Sequence, residues 1–86
     1  MALALADHVT LTETDEGVVL LDRRTGRYWQ MNGSAALVLR CLLAGGTPEQ
    51  AASVLQQRFD VPLERAGDDV RALVRTLRES PLTTSL

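Results

Sequence analysis

Lysine is absent from this sequence, and every basic residue is one of nine arginines. Eleven acidic residues outnumber them, giving a formal net charge of −2. Sequence-independent binding to nucleic acid depends on basic residues that neutralise phosphates, so this balance argues against it. Cys41 is the only cysteine, which excludes an internal disulfide. Its neighbours Val38, Leu39, Leu42 and Leu43 are apolar, so it is expected to be a buried thiol acting as a small hydrophobe. His8 is the only histidine. A zinc site or a histidine base would need partners that the sequence does not supply, and His8 is expected to be structural or solvent-facing. No apolar run approaches the roughly 20 residues needed to span a bilayer. The opening Met1-Ala2-Leu3-Ala4-Leu5-Ala6 has no basic stretch and is cut short by Asp7, unlike a secretory signal, so the expected location is the cytoplasm. Gly-rich phosphate loops, nucleophile elbows and Walker patterns are missing. The adjacent carboxylates Asp15-Glu16 and Asp68-Asp69 point apart in a strand or helix, so neither is an acid/base pair by itself. Asp15-Glu16 reads as a solvated turn, and Asp68-Asp69 suits the positive end of a helix dipole. These absences exclude an evident enzyme, metal site or cofactor site.

What is present is the pattern of one small globular domain spanning residues 1–86, with its core at about 8–80. Hydrophobic residues form 45% of the chain, too many for disorder. A chain this short buries roughly 60–65% of its unfolded surface, so a deep catalytic cavity is not expected. There is no internal repeat and no linker. His8 to Glu13 alternates polar with apolar residues, the mark of a strand. Val18-Val19-Leu20-Leu21 is a short continuous apolar run, expected of a middle strand covered on both sides. Arg27-Tyr28-Trp29-Gln30-Met31 is a third strand. Asp15-Glu16-Gly17 and Asp22 to Gly26 are the turns between them, with Gly26 suited to a left-handed position. The result is an antiparallel meander with its third strand at an edge.

The remainder has helical spacing. Ser34 is expected to cap a helix running to about Ala44, stopped by Gly45-Gly46 and apolar nearly all round. Thr47-Pro48-Glu49-Gln50 has the capping-box pattern and opens a second helix carrying Ala51, Val54, Leu55 and Phe59. Asp60-Val61-Pro62 ends it. A third helix runs from near Leu63 to near Ser80, with Val70, Leu73, Val74 and Leu77 as a clean apolar stripe. Gly67 predicts a loose or bent first turn, and residues from Pro81 to Leu86 read as a frayed tail. The fold class is therefore α+β: a three-stranded antiparallel β-meander followed by three α-helices, winged helix-turn-helix-like, with the sheet placed first.

Chemistry being scarce, binding surface is the remaining resource. An unprotected edge strand is a liability unless something covers it, and a peptide can do so by adding as a further strand. Aromatics, Met and Arg, the residue types of Arg27 to Met31, are enriched in interface cores. The plainer alternative is that Tyr28 and Trp29 merely flank the sheet. Since neighbours in a strand face opposite sides, at most one of the two is in the helix-facing core. Arg71, Arg75 and Arg78 fall within about 60° on one flank of the third helix. They form a solvated face, a basic wall beside a peptide groove, or a recognition helix for phosphates.

Taken in order, several segments resemble the PqqD-like family, and within it the small stand-alone recognition proteins of lasso-peptide pathways. These segments are His8-Val9-Thr10-Leu11, Val19-Leu20-Leu21-Asp22, Thr25 to Asn32, Ala35-Ala36-Leu37-Val38-Leu39, Gly46 to Ala52, and Asp69-Val70-Arg71-Ala72-Leu73-Val74. The resemblance covers about residues 8 to 80. Members often end the last helix with Gly-Leu-Leu or similar, whereas Ser80-Pro81-Leu82 stands here, so no function is placed on the tail. The resemblance implies a recognition element for ribosomally made, modified peptides, without catalysis or cofactor of its own. It would bind the leader segment of a precursor as a strand antiparallel to the third strand, then present it to a separate leader peptidase and a macrolactam cyclase. The implied strand wall is Arg27, Tyr28, Trp29, Gln30 and Met31. The implied helix wall draws on Asp69, Val70, Leu73, Val74 and Leu77, with Arg75 at the rim, although part of that stripe must pack inward. Two alternatives stay open: a PqqD-type chaperone for another peptide-modifying enzyme, and a winged-helix DNA-binding regulator. No membrane and no nucleic-acid partner is expected under the leading reading.

Overall fold

In a computed structural model, which describes residues 3–79 and 82–85, the chain runs β1 (Leu3–Leu5), β2 (Val9–Thr14), β3 (Gly17–Asp22), β4 (Tyr28–Asn32), α1 (Gly33–Leu43), α2 (Pro48–Phe59), α3 (Leu63–Glu79) and β5 (Thr83–Ser85). Strands β2, β3 and β4 form the antiparallel meander, in that order, so β4 is the expected edge strand. The three helices follow, and the α+β class stands.

The meander is set by its two turns. Asp15 and Glu16 form a two-residue connection between the paired residues Thr14 and Gly17. Gly17 cannot carry a side chain, because a Cβ there would lie 2.0 Å from the carbonyl oxygen of Met31 on β4. In the second turn Gly26 has φ +77°, a conformation glycine adopts without the cost a Cβ brings. Its N–H donates to the Asp22 carbonyl at 2.8 Å, and the Asp22 N–H donates to the Arg27 carbonyl at 2.8 Å.

Strand β3 is not covered on both sides. Val18 and Leu20 are sealed under the helices, whereas Leu21 is exposed and Val19 half-buried. One face of this sheet meets solvent, as antiparallel sheets allow. At the end of β3 the side chain of Asp22 is buried, at 1% exposure. Its Oδ1 accepts from the Arg24 N–H at 2.9 Å, while its Oδ2 has no hydrogen-bond partner and lies 3.9 Å from His8 Nε2. Burial pushes this carboxyl upward, but the Arg24 N–H, nearby His8 and Thr25 outweigh it and hold the group below its ordinary value. His8 thus takes a structural position, and the Arg24 guanidinium reaches its Nε2 at 3.0 Å.

Helix α1 begins two residues earlier than expected. Its cap is Asn32, the last residue of β4, whose side chain accepts from the Ala35 N–H at 3.2 Å, and Ser34 donates its hydroxyl to Asn32 Oδ1 at 3.0 Å. The strand feeds the helix with no loop between, so the cap falls on the strand's final residue. Ala36, Val38, Leu39 and Leu42 are buried, while Cys41 is half-buried rather than enclosed, because it lies at the edge of that face. The Arg40 guanidinium pairs with the Glu13 carboxylate and ties α1 to β2. Helix α2 has the full capping box: Thr47 Oγ1 accepts from the Gln50 N–H at 3.1 Å, and Gln50 Oε1 accepts from the Thr47 N–H at 2.8 Å. It ends at Asp60 in the left-handed conformation. Phe59 on this helix is 46% exposed, so only Ala51, Ala52 and Leu55 join the core from α2. Helix α3 is continuous through Gly67 and buries Ala66, Val70, Val74 and Leu77.

The chain ends correct one expectation. Residues 82–85 are not a frayed tail. β5 pairs antiparallel with β1, Leu5 opposite Thr83, and Leu82 is buried at 1% exposure. The Ala6 N–H donates to the Leu82 carbonyl at 3.0 Å, and the Thr83 hydroxyl donates to the Leu77 carbonyl at 2.8 Å. A buried leucine and these bonds anchor the segment, which the lack of a long apolar pattern concealed. Ser80 and Pro81, where the helix stop was expected, lie outside the described residues.

Candidate functional site

The meander leaves β4 with one paired and one open side, and the turn fixes which residues face the opening. In an antiparallel ladder, opposite residues alternate between hydrogen-bonded and non-bonded pairs. Asp22 donates to Arg27, so that pair is of the bonded kind. Counting along the register, Trp29 opposite Leu20 and Met31 opposite Val18 bond inward to β3. Tyr28 opposite Leu21 and Gln30 opposite Val19 then turn their N–H and C=O groups to the open edge.

The side chains alternate in the same way. Trp29 is half-buried and Met31 buried on the helix-facing side, whereas Tyr28 and Gln30 are exposed on the other. Of the two adjacent aromatics, Trp29 is therefore the one against the core, and Tyr28, 68% exposed, stands clear of it. The Arg27 guanidinium lies 5.4 Å from the Trp29 ring centroid, where the ring's quadrupole attracts it. This contact holds a charged group and a large aromatic together at the start of the edge.

At the other end of β4, a cavity of about 220 Å³ opens between strand and helices. Asn32, Ser34, Ala35 and Val38 line it from the β4–α1 junction, Leu55 from α2, and Asp69 and Leu73 from α3. The close packing of α3 is with α2 and β5 rather than with β4, and this is what leaves the space. The structure thus brings Asp69 and Leu73, one helical turn apart, to the vicinity of the edge strand. Val70, Val74 and Leu77 are instead turned into the core. Arg75 stands on the opposite flank of α3 beside Pro48, Val74 and Glu79, with Arg71 and Arg78.

Sequence reasoning did not reach Asn32, Ser34, Ala35, Val38 or Leu55 as lining residues. A signal did exist for the first three, since they directly follow the edge strand and its last side chain caps the helix. None existed for Leu55, which arrives through the packing of α2. Among the described residues no group of three or more His, Cys, Asp or Glu side chains is placed to hold a metal ion. No helix is long and apolar enough to cross a membrane among the described residues. What this region offers chemically is an open row of main-chain donors and acceptors, an Arg–Trp pair and a small mixed apolar and acidic cavity.

A family model described as coenzyme PQQ synthesis protein D (PqqD) matches residues 17–82. Among solved structures, the chain is similar to one described as lasso peptide synthetase B1 complexed with the leader peptide. The two are 36% identical over 99% of this chain and 100% of that one, with a TM-score of 0.89. It also shares its fold with TbiB1 in complex with the TbiA(beta) leader peptide, at 24% identity, 96% coverage of each chain and a TM-score of 0.83. No curated protein matches it.

Proposed function

The chain belongs to the PqqD family, and from that premise we propose that it binds the leader segment of a lasso-peptide precursor at the open edge of β4 and presents it to separate enzymes. The observation that carries this reading is the edge itself: Tyr28 and Gln30 turn two N–H and two C=O groups outward beside a cavity shared with Asp69 and Leu73. The 36% identical structure described with a leader peptide bound supports the choice of occupant.

The energetics divide the work between backbone and side chains. Each main-chain hydrogen bond contributes about 0.5–1.5 kcal/mol net, so four such groups supply roughly 2–6 kcal/mol. Micromolar binding requires about 8 kcal/mol. The strand addition therefore sets register and direction, and side-chain burial must supply the rest. One aliphatic side chain entering the Leu73 cavity would contribute about 1.5–3 kcal/mol. The residues put forward as contacts are Arg27, Tyr28, Trp29, Gln30 and Met31 on the strand side and Asp69 and Leu73 on the helix side. Val70, Val74 and Leu77 act behind them by holding α3 in place.

In this reading the chain performs no chemistry. A leader peptidase would cut the presented precursor, and a macrolactam cyclase would close the ring on the freed segment. Both are separate proteins in the proposal. The family description favours one second reading, a chaperone of the same mechanism serving a different peptide-modifying enzyme. The neighbouring genes separate the two: a short precursor with a small protease and an asparagine-synthetase-like cyclase marks the lasso pathway.

The test is amide hydrogen exchange with and without a synthetic leader peptide, alongside a fluorescence titration. Protection should rise at Tyr28 and Gln30, while β2 changes little. Protection confined to Asp15–Gly17 or to residues 47–57 would overturn the edge-addition reading.

A further inference from the structure

Alternate side chains of a strand added to β4 point away from the cavity and towards the outer face of the sheet. Directly opposite residues share a face, so two rows cross the outer face: Thr10–Leu21–Tyr28 and Thr12–Val19–Gln30. Neither row carries a charge, although 23% of the chain is charged. Thr10, Thr12 and Gln30 are exposed and Val19 is half-buried. Of the four exposed large hydrophobic side chains among the described residues, Leu21 at 38% and Tyr28 at 68% stand directly opposite each other.

This pair is of the non-bonded kind, since the bonded pairs on either side are Asp22–Arg27 and Leu20–Trp29. Non-bonded pairs bring side chains closer, with Cα atoms about 4.5 Å apart. Leu21 thus backs Tyr28 from β3, and the open edge leaves the other side of Tyr28 without a strand neighbour. Leader residues opposite Tyr28 and Gln30 take the bonded pairs of the new ladder, because those are the residues whose N–H and C=O groups face out. Their side chains therefore extend the two rows. The leader residue opposite Trp29, next to them in sequence, points to the helix-facing side.

We propose that Tyr28, backed by Leu21, is a second side-chain subsite for the leader, on the outer face of the sheet, and that it takes an uncharged aromatic or β-branched residue placed opposite it. The inference rests on the leader-binding reading and deepens it: consecutive leader residues are read on opposite faces of the sheet. Aromatic–aromatic and aromatic–β-branched pairs are favourable cross-strand combinations. A charged residue there would find no opposite charge in either row. Tyrosine offers a large contact area at a low cost in side-chain entropy. The contact also meets a shortfall, because the main-chain bonds and one aliphatic side chain in the Leu73 cavity, taken at the middle of their ranges, fall short of micromolar binding.

The experiment uses the full chain and a fluorescent synthetic leader peptide from the precursor encoded beside it, with each leader residue replaced by alanine in turn. Tyr28→Thr and Tyr28→Ala remove the ring, and Tyr28→Phe keeps it. Circular dichroism confirms that each variant folds. The two ringless variants should bind the unaltered leader about three- to fivefold more weakly, with Tyr28→Phe within twofold of wild type. One alanine position in the leader should weaken binding to the wild-type chain and to Tyr28→Phe but not to the ringless variants, the coupling that marks a direct pair. Folded ringless variants that bind as wild type does, or losses that couple to no single leader position or to a charged one, overturn the subsite alone. A wild-type chain that binds no leader, or binds it without protecting Tyr28 and Gln30 from amide exchange, removes the reading beneath it as well. Self-association lost with the ring, while leader affinity is unchanged, would assign this face to a second copy and overturn the proposal.

Discussion

Replacing Gln30 by proline isolates the main-chain part of binding. Gln30 turns its N–H away from β3, so proline there removes no bond from the β3–β4 ladder. Proline on an edge strand is tolerated where its missing donor faces solvent. The side chain of Gln30 is exposed, so its loss from the folded domain costs little. Folding should therefore survive, with a cost on the order of 1 kcal/mol for tightening φ to the proline value. That is small against a total stability of roughly 4–13 kcal/mol for a chain of this length. Binding has no such tolerance. The variant loses one donor to the peptide, about 0.5–1.5 kcal/mol, and leaves a peptide carbonyl facing the ring instead of an N–H, a further 1–3 kcal/mol or so if that carbonyl is buried. The sum predicts leader affinity weakened by at least tenfold. Gln30→Ala is the control for the side chain and should stay within about threefold of wild type. Trp29→Pro supplies the contrast, because Trp29 bonds inward and half-buries its ring, so it should unfold the domain. Fluorescence anisotropy with a labelled leader measures the affinities, and circular dichroism with urea melts measures folding. Equal affinities for folded Gln30→Pro and Gln30→Ala would show that no peptide backbone bonds at this position.

Three further outcomes follow from burial and charge. Leu73→Asp should leave a folded domain with leader affinity reduced by more than tenfold, whereas Val70→Asp, a charge at a fully buried position, should unfold it. Urea melts and titration of the two variants check this, and the reverse order of effects would show that the helix face is misassigned. Cutting the chain after Glu79 removes Leu82 and β5, and burial of one leucine alone is about 1.5–3 kcal/mol. The melting temperature should then fall by on the order of 10 °C, and an unchanged value would mean the β1–β5 pair adds nothing. Asp22 has its carboxyl held below the ordinary value in the fold, so its stabilising effect is present above about pH 4 and is lost as pH falls through the folded value. The stability gap between wild type and Asp22→Asn should accordingly close on acidification, and a gap constant from pH 7 to 3 would refute the assignment.

The meander and the helices were legible because each rests on local chemistry. Two glycine-containing turns, an alternating strand, a capping box and a 3.6-residue stripe all state their structure within a few residues. The β1–β5 pair was not legible for the opposite reason. Leu3–Leu5 and Thr83–Ser85 are three-residue strands at the two ends of the chain, and nothing near either one names the other. Strands that short acquire their order from pairing and from what lies beneath them, here Leu3 and Leu82 in the core. The Asn32 cap was missed on a smaller scale, because Ser34 and Asn32 are both good caps and only the loopless passage from β4 to α1 decides between them.

The candidate site shows the same division at higher resolution. Its strand half follows from sequence, since a meander ordered by short turns must leave its third strand at an edge. The orientation of that strand does not, because a two-residue period distinguishes the faces but not which set is buried. The Asp22–Arg27 bond fixes only which backbone groups meet the open edge, those of Tyr28 and Gln30, and the packing of α1 on the Trp29 and Met31 face decides which side chains are buried. Its helix half is set by a difference of about 60° in rotation. The stripe Val70, Val74 and Leu77 is the most hydrophobic line on α3 and therefore the most conspicuous, and for that reason it is taken by the core. Leu73 lies at the margin of the stripe, apolar enough to offer contact and far enough round to remain half-exposed beside Asp69. Residues at such margins are the ones a small domain can spare for binding, because the chain has too little interior to leave a central apolar side chain open.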